Sequence, residues 1–126
     1  MKPAESLAHR YLKLSYGYGK VFADVFPESI WLWAAFNGYG RAHHVTQNIE
    51  IWDKHLKLHQ RKVAAALEAA GLNVDATFDV HFDGIRGRHR EMEASVKIKL
   101  FDWSREDMEK GKEILKSLHI GIKDLP

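Results

Sequence analysis

Between Asn37 and His44 the chain reads Asn-Gly-Tyr-Gly-Arg-Ala-His-His, residue types that suit anion binding and proton transfer. Gly38 and Gly40 allow backbone N–H groups to approach a ligand closely, and the start of the helix that follows favours negative charge. Arg41 can clamp a phosphate through two parallel hydrogen bonds. His43 or His44 can move a proton near neutral pH, and Tyr39 can stack on a base. The plainer reading is a turn that needs glycine, followed by ordinary first-turn residues. The string is neither a Walker loop nor a dinucleotide fingerprint.

A second candidate is Arg86-Gly87-Arg88-His89-Arg90. Three arginines within five residues at a hairpin tip can engage several phosphates, although a solvated turn has the same composition. Asp79, Asp83, Glu91 and Glu93 lie just behind that tip. They would repel a phosphate backbone running down the sheet, so the tip is the expected point of contact.

Metal chemistry has two possible homes. His55 and His59 stand at i and i+4 on a helix, the spacing that lets two imidazoles share one ion. The run is His-Leu-Lys-Leu-His, without the zincin glutamate and with Lys54 and Lys57 close by to repel a cation. His81, Asp83, Glu91 and Glu93 form a mixed nitrogen and oxygen set suited to Mn²⁺, Mg²⁺ or Zn²⁺. Exposed polar side chains on amphipathic elements account for both sets equally well. No nucleophile-elbow sequence supports a Ser-His-Asp relay.

These residues are positioned by elements that the hydrophobic period defines. Pro3 suits a first helical turn, and Leu7, Tyr11, Leu14, Tyr18, Val21 and Val25 recur at spacings of three and four. The spacing predicts a helix over roughly 3–15, continuing as helix or irregular chain to Phe26. Gly17 and Gly19 weaken its second half, leaving 16–26 open between helix and strand. Ser29 to Phe36 is apolar on both faces, as a central strand would be. Val45, Ile49, Trp52, Leu56, Val63, Leu67 and Ala70 predict a helix over about 42–70, with Gly71 as its C′ residue.

Residues 74–102 then switch to period two. Val74, Ala76, Phe78, Val80 and Phe82 make one apolar set, and Met92, Ala94, Val96, Ile98 and Leu100 make another. Matching their faces sets Phe78 opposite Val96 and Phe82 near Met92. It also pairs Asp75 with Lys99, Thr77 with Lys97, His81 with Glu93 and Asp83 with Glu91. Ser104 opens a capping-box-like start to a last helix, and residues 119–124 suit a final edge strand.

The order from Ser29 is strand, helix, strand, strand, helix, strand. That predicts an α+β, ferredoxin-like split βαβ sheet with two helices on one face and an extra N-terminal helix. The whole chain, 1–126, reads as one domain, with 1–26 a helical extension and 29–124 the βαββαβ core.

Bulk composition narrows the partners only a little. The net charge of +2 permits an anionic ligand without requiring one. The chain has no cysteine, which excludes disulfides, thiolate metal sites and a cysteine nucleophile, and leans toward an intracellular, cytoplasmic setting. The N-terminus has no apolar stretch of the signal-peptide kind, and the longest apolar run, Ile30 to Phe36, is too short to cross a bilayer. Four tryptophans, two of them in the first core strand, suit a homodimer interface as well as a core.

The leading expectation is therefore a module that binds nucleic acid or another phosphate-bearing ligand. Gly38, Tyr39, Gly40 and Arg41 with Arg86, Arg88 and Arg90 would hold the anion. His43 and His44 would supply metal-independent acid–base cleavage of RNA if the module is catalytic. The alternatives are a divalent-metal enzyme or metalloregulator, and a non-catalytic homo-oligomer.

Overall fold

A tight β-hairpin precedes everything the period-two pattern marks as sheet, and it decides the strand order. The computed structural model describes residues 21–37, 42–85 and 91–124. Among these are β1 (Phe22–Val25), β2 (Ser29–Asn37), α1 (Ala42–Ala69), β3 (Val74–Asp75), β4 (His81–Ile85), β5 (Glu91–Leu100), α2 (Arg105–Ser117) and β6 (Gly121–Asp124). Among the described residues the architecture is mixed α+β, a six-stranded sheet with two helices. No helix among the described residues is long and apolar enough to cross a membrane.

Sheet order is β3-β5-β2-β1-β6, with β4 pairing β5 as well. In the expected ferredoxin-like order the last strand lies directly beside the first core strand. Here β1 stands between them. Phe26 N–H donates to the Ser29 carbonyl at 2.8 Å, closing a very short connection between β1 and β2. A short loop costs little closure entropy, so the hairpin partner takes that edge of β2. β6 is displaced one place outward and runs parallel to β1, with Phe22 opposite Gly121. Residues 22–25 are thus a strand where the helical spacing would have continued, and residues 1–20 lie outside the described part.

One sheet face carries the core. Ala23 and Val25 from β1, Ile30, Leu32 and Ala34 from β2, and Ala94, Val96 and Ile98 from β5 are buried against Trp52, Leu56, Val63 and Leu67 of α1 and Leu115 of α2. α1 ends in a Schellman arrangement, as its glycine predicts: Gly71 has φ +83, Gly71 N–H donates to Glu68 O and Leu72 N–H to Leu67 O. α2 begins with a reciprocal cap, in which Ser104 Oγ accepts from Asp107 N and Asp107 Oδ2 accepts from Ser104 N. It ends on the same kind of turn with His119 at φ +60 in the glycine position.

The hairpin register departs from expectation by two residues. Asp75 does face Lys99. Beyond it, His81 faces Ser95, Phe82 faces Ala94, Asp83 faces Glu93 and Ile85 faces Glu91. Five residues, 76–80, therefore lie opposite only three, 96–98, and the extra two bulge out of the ladder. An even insertion leaves every side chain after it on its original face. Three hydrogen bonds stabilise the break. Thr77 N–H donates to Asp75 Oδ1 at 3.0 Å, and Gln60 Nε2 of α1 donates to both Phe78 O (3.0 Å) and Lys97 O (2.9 Å). Gln60 thus bridges the gap in place of ladder hydrogen bonds. It is 4% exposed, the one buried polar residue among those described. Phe78, expected opposite Val96, instead packs beside the Lys97 ammonium.

Candidate functional site

The sheet face away from the helices carries the described side chains with the most chemistry. Strand alternation places Phe22 and Asp24 of β1, Trp31 and Trp33 of β2, and Glu93, Ser95, Lys97 and Lys99 of β5 on it. Trp33 is buried beside Phe22, ring centroids 5.4 Å apart, and its indole N–H donates to Asp24 Oδ1 at 3.0 Å. Lys97 Nζ lies 4.9 Å from the Phe78 ring centre and 6.0 Å from that of Trp31, and Lys99 Nζ lies 5.2 Å from that of Phe101. Ammonium groups at such distances are attracted to the ring faces.

Between these groups is a hollow of about 210 Å³ lined by Asp24, Phe26, Trp31, Trp33, Glu93 and Ser95. A wider, shallower depression of about 450 Å³ adjoins it along the β1–β2 turn, from Phe26 to Ser29. Burial, then the charges of Asp24 and Asp83, hold the Glu93 carboxyl above its ordinary range. The face is electrically divided along β5: Glu93 opposite Asp83 toward one end, Lys97 and Lys99 toward the other.

Several of the residues singled out by sequence lie outside the described part, namely Gly38, Tyr39, Gly40, Arg41, Arg86, Arg88 and Arg90. The backbones of His43 and His44 fall in the first turn of α1, while their side chains are likewise outside it. The register nevertheless relates the two basic segments. Asn37 and Ile85 both end against Glu91, so the chain enters both from the same end of the sheet.

The metal candidates separate. The His55 and His59 rings meet edge-on with centres 4.4 Å apart, and His55 also meets Trp52 edge-on. His59 Nδ1 is 2.9 Å from the His55 carbonyl, so that nitrogen carries the hydrogen and is occupied by its own helix. His81 Nε2 contacts Asp83 Oδ1 at 3.1 Å, an exposed pair on one strand. Glu93 lies opposite Asp83 rather than His81, and Glu91 opposite Ile85 rather than Asp83. Among the described residues no group of three or more His, Asp and Glu gathers as a metal site.

Asp24 is a site residue that sequence reasoning missed, because residues 16–26 stayed open between helix and strand. The available signal was the alternation of Val21, Ala23 and Val25 with Phe22 and Asp24. No family model matches the chain, and no match is found among curated proteins or solved structures.

Proposed function

We propose that this chain is a binding module for single-stranded nucleic acid, or another phosphate-bearing ligand, that uses the sheet face away from α1 and α2 together with the basic residues Arg41, His43, His44, Arg86, Arg88 and Arg90. The observation that carries this reading is the strip in which Lys97 lies beside Phe78 and Trp31 and Lys99 beside Phe101. It combines stacking surfaces with phosphate-neutralising charge, the pairing by which proteins hold unpaired strands. Additional support comes from Asn37, which precedes Arg41, His43 and His44 in sequence, and Ile85, which precedes Arg86, Arg88 and Arg90, since both stand against Glu91. From Ser29–Lys99 to Asn37–Glu91 the face spans about 27 Å, at roughly 3.4 Å per strand residue. Phosphates meet cations at its two ends and avoid the carboxylates between.

The test is fluorescence anisotropy of labelled single- and double-stranded RNA and DNA at several salt concentrations. Micromolar or tighter binding that weakens steeply with salt is expected, with single strands preferred. Each lysine removed, as in Lys97→Ala, should flatten the log–log salt slope by about 0.7. The double variant Arg41→Ala/His44→Ala should lose most binding while keeping its circular dichroism spectrum. Absence of binding at low salt would refute the reading. Solution mass should be measured alongside, since a face-to-face homodimer would cover the same strip.

A further inference from the structure

The acidic hollow in the middle of this face is ill-suited to a polyanion only if phosphate is what enters it. We infer that the hollow lined by Asp24, Phe26, Trp31, Trp33, Glu93 and Ser95 receives a guanine base of a bound single strand, with the base's N1–H and N2–H₂ donated to Glu93 and its ring laid against Trp31. This rests on the nucleic-acid reading above and names the base that the site reads.

Size comes first. About 210 Å³ accommodates one planar ring system, since an apolar cavity of about 150 Å³ already holds a benzene. Shape agrees: Trp31, half-buried, offers a flat wall, and Phe26 continues it into the depression beside the β1–β2 turn, where a sugar can lie. Trp33 is too deeply buried to be a stacking platform, and its N–H is directed to Asp24.

Chemistry then selects the base. An ionised carboxylate only accepts hydrogen bonds, through two oxygens. Guanine is the base whose pairing edge presents two adjacent N–H donors. Adenine and cytosine present one donor beside one acceptor, and uracil or thymine one donor between two acceptors, so each sets a lone pair against the carboxylate. Burial and the neighbouring Asp24 and Asp83 oppose ionisation of Glu93, and a pair of incoming N–H donors offsets that penalty. The phosphate on one side of the base would reach Lys97, which borders Trp31.

The experiment uses labelled uridine hexamers with G, A, C or U at one central position, titrated into the full chain and its variants. Wild type should prefer the G-containing hexamer by about tenfold, the discrimination typical of a two-hydrogen-bond contact to a base. Glu93→Gln keeps the shape but replaces one acceptor by a donor, so the preference should fall to within about twofold with the salt slope unchanged. Trp31→Ala should weaken all four hexamers together. Salt-dependent binding without a G preference, or a preference that survives Glu93→Gln, overturns this inference alone. Failure of every hexamer to bind at low salt overturns it together with the reading beneath it.

Discussion

Replacing Gln60 by leucine tests whether the bulge opposite β5 depends on one helix side chain. Gln60 Nε2 satisfies two carbonyls, Phe78 O and Lys97 O, at 3.0 and 2.9 Å, from a position 4% exposed. Leucine is close in volume, so the change removes both donors with little cavity. Each half-buried acceptor left unpaired costs about 1–2 kcal/mol, and the leucine's added apolar burial returns about 1 kcal/mol. The net loss should be about 1–3 kcal/mol. With an unfolding entropy near 2.1 cal/mol/K per residue over 126 residues, about 0.26 kcal/mol/K, the midpoint should fall by roughly 4–12 °C. Urea denaturation followed by circular dichroism gives the first quantity and thermal melting the second. Amide exchange should show residues 76–82 and 95–98 losing protection before the rest of the sheet. Gln60→Glu provides a control. Ionised, it offers no donor and buries a charge, so its deficit should exceed that of leucine at neutral pH and shrink as the pH falls. If Gln60→Leu matches wild type within 0.5 kcal/mol, about the spread expected for an inert surface change, the bridging argument is wrong.

Two other changes have signs fixed by the structure. Gly111 lies in α2, where alanine would ordinarily gain about 1 kcal/mol of helix propensity. A Cβ there would stand 2.5 Å from Trp103 Cζ3, and the Trp103 ring is tethered by its N–H to Asn73 O at 2.9 Å. Overpacking costs about 1–3 kcal/mol, so Gly111→Ala should destabilise, and a raised melting temperature would refute this account. Glu93 has its folded-state acidity weakened, first by burial and then by Asp24 and Asp83. The folded state holds that proton more tightly than the unfolded chain does. Its contribution therefore favours folding below the unfolded value of about 4.5 and is lost as pH rises through the folded value. The exposed His81–Asp83 pair is common to wild type and variant. Urea midpoints from pH 4.5 upward should fall for wild type relative to Glu93→Gln, and parallel curves would show that Glu93 contributes nothing to the trend.

The elements that sequence made legible were those with one dominant period. α1 shows it over 28 residues and β5 over ten, and both appear where expected. β1 was hidden because Val21 and Val25, four apart, satisfy a helical stripe and an alternating strand alike, and only Ala23 between them favours the strand. The bulge at 76–80 was invisible for a different reason. The alternation from Val74 to Phe82 runs unbroken, and an insertion of two residues preserves parity, so no face pattern betrays it. A clue did exist elsewhere, in Gln60, a polar residue at the core position between Leu56 and Val63. Such a residue on an apolar stripe demands buried partners, and the carbonyls of a broken ladder are what it finds.

The sheet face away from α1 and α2 obeys that logic at one end and departs from it at the other. Asp75 pairs with Lys99 across β3 and β5, as cross-strand electrostatics favours. Asp83 directly faces Glu93 across β4 and β5, a like-charge pair that costs stability. The two-residue bulge creates this opposition: without it, Asp83 would face Glu91 and His81 would face Glu93. Gln60 therefore does more than fill a gap in the ladder. By holding the register in which Asp83 faces Glu93, it helps set the charge environment of the hollow. A local rule broken at one point in an otherwise consistent sheet is characteristic of functional sites, and here the break and the candidate site share the same strands.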